Sequence, residues 1–148
     1  GVSEDLNLMK LYKKKHNLNN VRLLGHKSQK ELPDFYKEAD ILILPMTGKE
    51  THTAKYASPS KLFEYMASGK PIIASDLNSI REILTNDDSI LFFEPDNSED
   101  LINKIKFLSS NPDLMIKLST KSKDLAKEYS WNNRVEKILN HIKNFNIN

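Results

Sequence analysis

Three unbroken apolar runs constrain this chain most: Ile41-Leu42-Ile43-Leu44, Pro71-Ile72-Ile73-Ala74 and Ile90-Leu91-Phe92-Phe93. A strand with one wet face alternates apolar and polar residues. A strand that is apolar throughout is covered on both faces, as inside a parallel sheet. Helical spacing fills the intervals. Ser79 to Leu84 reads as a short helix. Ser98 caps a longer one with Leu101, Ile105 and Leu108 inward, and Asn111-Pro112 starts another with Leu114, Leu118 and Leu125 inward. Ser130 caps the last, with Val135, Ile138 and Ile142 inward and Trp131 anchoring it against the sheet. Upstream, Ser3-Glu4-Asp5 opens a helix to about His16. Val21-Arg22-Leu23-Leu24 reads as a further strand, ending at Gly25. Ser28-Gln29-Lys30-Glu31 is a capping box ahead of Leu32, Phe35 and Tyr36. Strands alternating with helices define an α/β chain with a Rossmann-like, doubly wound parallel sheet. Its 148 residues are read as one domain, 1–148.

Composition narrows the function classes. The chain has no cysteine, which excludes disulfides and thiol chemistry and suits a cytoplasmic setting. No apolar run approaches the roughly 18 residues of a membrane span. A net charge of +2 argues against nucleic acid as a partner. His16, His26, His52 and His141 are scattered without ligand spacing, so no metal is expected. Lys10, Lys13, Lys14 and Lys15 crowd the first helix. They read as a solvated face, the alternative being peripheral attraction to anionic lipid at the inner face of a membrane.

In a doubly wound sheet, ligands bind outside the carboxyl ends of the strands. A long polar loop, residues 46–57, leaves one such end. It leads into a helix with Ser58 at the N-cap, Pro59 in its first turn and Gly69 just past its end. The first N–H groups of a helix have no partner inside it and carry roughly half a positive charge. A diphosphate finds ready donors there. Ser60 adds a hydroxyl, Lys61 a charge, and Glu64, one turn deeper, a carboxylate able to accept from vicinal ribose hydroxyls. Taken singly, Ser58 is explained as an N-cap, Lys61 as a solvated charge and Glu64 as a surface residue.

The stretch SPSKLFEYMASGKPIIAS, Ser58 to Ser75, resembles the C-terminal, donor-binding domain of GT-B glycosyltransferases, specifically the retaining family 4 (group 1) enzymes. Supporting stretches are Val21 to Pro45, Ile80 to Leu84 and Tyr129-Ser130-Trp131. The resemblance implies a nucleotide-diphosphate-sugar donor, with Glu64 on the ribose. It assigns the diphosphate to Ser58, Ser60, Lys61 and Leu62, and the nucleobase to Gly25, His26 and Lys27. It also implies glycan or cell-envelope polysaccharide synthesis, no cofactor and no metal. The family's other motif glutamate falls at Tyr56, so no catalytic residue is assigned with certainty. The family domain begins with two further strands and a basic diphosphate clamp, and an N-terminal domain holds the acceptor. The chain opens at Gly1 directly into a helical pattern, so it is expected to be part of a longer enzyme, inactive alone. Without those two strands the Ile41–Leu44 edge is expected to pair with Val21–Leu24, to be buried in a dimer, or to leave the chain unstable. A non-catalytic nucleotide-binding or interaction module derived from a GT-B half is the alternative function. A nucleotide-sugar epimerase would place further acids and histidines in the cleft, where only Glu64 and His26 are candidates.

Overall fold

The computed structural model describes residues 2–49, 60–84 and 88–145. The chain divides into two compact units, Gly1–Asp34 and Phe35–Asn148, each described by itself.

The second unit is built on a three-stranded parallel sheet in the order β1-β2-β3, with β1 Leu42–Leu44, β2 Ile72–Ser75 and β3 Leu91–Phe93. Leu44 registers with Ala74, and Ala74 with Phe92. All four residues of β2 are buried. Successive side chains on a strand face opposite ways. Ile72, Ala74 and Phe92 therefore share one core with Leu62, Met66, Ile80, Leu84 and Ile90. Ile73 and Phe93 enter the other core with Leu108 and Leu118.

Helices cover both faces, which makes the fold a doubly wound α/β arrangement. The elements are α1 Val2–Lys15, α2 Leu32–Glu38, α3 Ser60–Ser68, α4 Asn78–Arg81, α5 Ser98–Ser109, α6 Pro112–Glu128 and α7 Trp131–Phe145. Helix α6 serves both cores: Leu118 lies in one, and Leu125 and Ala126 pack against the other. Helix α3 ends where Gly69 adopts φ +68. An L-side chain is strained there, so glycine closes the helix at little steric cost. No helix among the described residues is long and apolar enough to cross a membrane.

Several local expectations hold. The Ser28–Glu31 capping pair forms, with the Ser28 N–H donating to Glu31 Oε2 at 2.9 Å, although α2 itself begins only at Leu32. Pro112 opens α6. The Ser130 hydroxyl accepts from the Asn133 N–H at 3.3 Å at the start of α7.

Three expectations are corrected. First, Val21–Leu24 is not a strand. A strand is held by its ladder, and the sheet of the described residues runs β1-β2-β3 without this run, whose Val21 N–H donates instead to the Leu18 carbonyl at 3.3 Å. Leu24 is 47% exposed as a result. Second, the cap of α5 is Asn97 rather than Ser98: the Asn97 side chain accepts from the Asp100 N–H at 3.0 Å. Asparagine and serine are comparable caps, and the turn through Asp96, at φ +62, decides between them. Third, the apolar stripe of α7 is not inward. Val135, Ile138 and Ile142 are about half exposed, and Trp131 is 79% exposed. Other helices already fill both faces of a three-stranded sheet, and α7 packs against α6 instead.

Candidate donor site on helix α3

Helix α3 is amphipathic. Leu62 and Met66, four residues apart, are fully buried. That anchoring turns the Lys61 and Glu64 side of the first turn toward α2, where both side chains meet Tyr36. The Tyr36 hydroxyl donates to Glu64 Oε2 at 2.6 Å. The Lys61 ammonium donates to the same oxygen at 3.2 Å and to the Tyr36 hydroxyl at 3.3 Å. The Tyr36 ring stands edge-on to Tyr65, with centroids 5.3 Å apart. Burial, then the hydrogen bond to Glu64 and its charge, push the Tyr36 phenol well above its ordinary range. Tyr36 is therefore a protonated donor at any physiological pH, and Glu64 is its acceptor.

Around the sheet's carboxyl end, Ser75 is fully buried and its hydroxyl accepts from the Met46 N–H at 2.8 Å. Asp96 accepts from the Gly48 N–H at 3.0 Å and from the Thr47 hydroxyl at 3.1 Å. These bonds hold the first residues of the loop after β1 against the end of β2 and the turn after β3. After β2, Asp76 is gripped by both ends of the Arg81 guanidinium, at 2.6 and 2.8 Å. The guanidinium itself covers the Phe92 ring at 3.9 Å. Beside the start of α3, Ser60, Phe63, Tyr129, Trp131, Arg134 and Lys137 line a groove of about 570 Å³.

The hydrogen bond from Arg81 holds the Asp76 carboxyl below the usual carboxylate range, against a lesser opposing effect of burial. A carboxylate whose pKa is lowered on folding adds stability above its unfolded value, about 3.9. That contribution is lost as pH falls through the folded value. Asp76→Asn is therefore expected to lower the urea midpoint at pH 7, and to leave little difference from the natural chain near pH 2. The pair is over a third exposed, so solvent screening keeps the effect modest. An equal gap at both pH values would show that Asp76 acts through packing.

The structure brings Ser60, Lys61, Leu62 and Glu64 together on the first turn and a half of α3. Leu62 offers only its backbone, its side chain being buried. Tyr56, Ser58 and His52 lie outside the described residues. Gly25, His26 and Lys27 belong to the first unit, where Gly25 has φ +67, His26 is exposed and Lys27 lies 3.8 Å from Glu31. Sequence reasoning missed Tyr36 as a site residue. In sequence Tyr36 is one more residue on an apolar helix face, and its only signal is a phenol hydroxyl that needs a partner wherever the ring is buried.

A parallel sheet with helices on both faces, and a polar helix start beyond one of its strands, defines a Rossmann-like α/β domain. The chain belongs to the glycosyl transferases group 1 family, which it matches over residues 1–136. It is 32% identical over 128 residues to an uncharacterized glycosyltransferase of Methanocaldococcus jannaschii, covering 82% of this chain and 34% of that protein. It is 30% identical over 114 residues to the phosphatidyl-myo-inositol mannosyltransferase of Propionibacterium freudenreichii, covering 75% of this chain and 28% of that one. Anabaena HepE, solved in complex with UDP-glucose, superposes with a TM-score of 0.75 at 17% identity, over 95% of this chain and 38% of that one. The chain thus spans about a third of the length of the relatives it matches, and its architecture is GT-B-like.

Proposed function

We propose that this chain is the donor-binding part of a retaining glycosyltransferase that takes sugar from a nucleoside diphosphate. The observation that carries the reading is the placement of Glu64 one turn below Ser60 on α3, with both of its hydrogen bonds among the described residues made by Oε2. The N–H groups of Ser60, Lys61 and Leu62, which open α3 and have no partner within it, receive the diphosphate with the Ser60 hydroxyl. An ammonium has three donors, and Lys61 directs two to Tyr36 and Glu64, so one remains for phosphate. Glu64 Oε1 accepts from the ribose. The UDP-glucose complex of HepE supports this class of ligand.

On this reading the leaving diphosphate is stabilised by preorganised donors and the helix dipole, and transfer needs no metal or cofactor. The acceptor is held by an N-terminal domain, and the reaction serves glycan or cell-envelope polysaccharide synthesis in the cytoplasm, the inner face of a membrane being the alternative setting. Calorimetric titration of the protein with UDP, GDP and ADP tests the site. Saturable heat with at least one is expected. No heat with any of them at millimolar concentration sinks the reading.

A further inference from the structure

The contact between Tyr36 and Glu64 joins residues 28 positions apart, across two helices. A carboxylate alone on a helix surface turns freely about its last bond, and both oxygens are then equivalent to a ligand. Here they are not. Among the described residues, both hydrogen bonds to Glu64 end on Oε2, one from a phenol and one from an ammonium. A phenol at 2.6 Å is in the range of charge-assisted O–H···O⁻ bonds, which are roughly twice as strong as neutral ones. The phenol is itself fixed, because Tyr36 sits half-buried on α2 with its ring edge-on to Tyr65. The ammonium is a weaker constraint, since Lys61 is 42% exposed on a flexible stem.

We infer that Tyr36 is a positioning residue of the donor site: by holding Glu64 Oε2 it sets the plane of the carboxylate and presents Oε1 to the ribose hydroxyls. The inference rests on the proposed role of Glu64. It goes further by making the choice of ribose over deoxyribose depend on a residue of α2 that touches no ligand. Packing against Tyr65 would survive removal of the hydroxyl, whereas orientation of Glu64 would not.

The test uses the full-length protein and calorimetry. UDP, GDP and ADP are titrated first, and the 2′-deoxy form of the one that binds is then compared with it. The natural protein is expected to favour the ribonucleotide by on the order of tenfold, the scale of a hydrogen bond to a charged group. Tyr36→Phe is expected to lose most of that preference while its affinity for the deoxynucleotide stays within about twofold. Replacing Tyr36 with 4-aminophenylalanine, which keeps the ring and restores a donor, is expected to recover the preference. A Phe variant that keeps the full preference overturns the inference. So does one that loses affinity equally for both nucleotides, because that is the signature of a structural role. If the Phe variant does not fold, an amino variant without ribose preference overturns it. Failure of the underlying reading looks different: no nucleotide binds the natural protein, or Glu64→Ala keeps the ribose preference.

Discussion

Glu64→Ala is expected to weaken binding of the nucleoside diphosphate by about 1–3 kcal/mol, the scale for a lost hydrogen bond to a charged group. That corresponds to roughly 5- to 150-fold in Kd. The substitution removes the acceptor for the ribose and leaves the helix start, and so the diphosphate site, in place. Binding should weaken rather than vanish. Stability should fall little, because Glu64 and Lys61 are each more than a third exposed and the Lys61 ammonium can turn to water once its partner is gone. Tyr36 is half-buried and loses its acceptor, which adds a small cost. Calorimetry and urea unfolding on the same preparations separate the two effects. Unchanged affinity would remove Glu64 from the ribose. A large loss of stability would make it a structural residue first.

Ile73→Ala is expected to cost about 2–5 kcal/mol of stability, and Ile73→Val about 0.5–1.5 kcal/mol. Ile73 is fully buried at the centre of β2 and packs with Phe93, Leu108 and Leu118. Strands flank it on both sides and helices α5 and α6 close over it, so neighbours cannot readily collapse into the space left behind. Small domains hold only about 5–15 kcal/mol in total, so the alanine variant loses a large share of its stability. Urea midpoints of the two variants check this. A cost below about 1 kcal/mol for alanine would mean that this core relaxes more freely than its burial indicates. Ile72→Ala probes the other face, and a similar cost there would show that the sheet is sealed on both sides.

Part of the fold was legible in the residues because its cause is local. Burial on both faces forces an unbroken apolar run, so Leu42–Leu44, Ile72–Ser75 and Leu91–Phe93 announced themselves within a residue at each end. Gly69 marked the end of α3 because a positive φ selects glycine. The same logic misled at Val21–Leu24. An apolar run is necessary for a buried strand but does not provide the neighbouring strand that pairs with it. It misled again on α7, where the helical stripe was real but the sheet had no uncovered face to receive it. A pattern states which side of an element is apolar, not whether a partner is present.

The site divides along the same line. The helix of Ser60–Ser68, with Lys61 and Glu64 on its first turns, follows from short-range rules of spacing and from the Gly69 stop, and the sequence by itself determined it. Only the tertiary structure decided that Tyr36 reaches Glu64 at 2.6 Å and that Asp76 is clasped by Arg81 above Phe92. The first contact crosses 28 positions between two helices, and no periodicity encodes such a distance. It exists because the sheet, with Leu62 and Met66 buried against it, fixes the rotation of α3, and that rotation determines which side chains face α2.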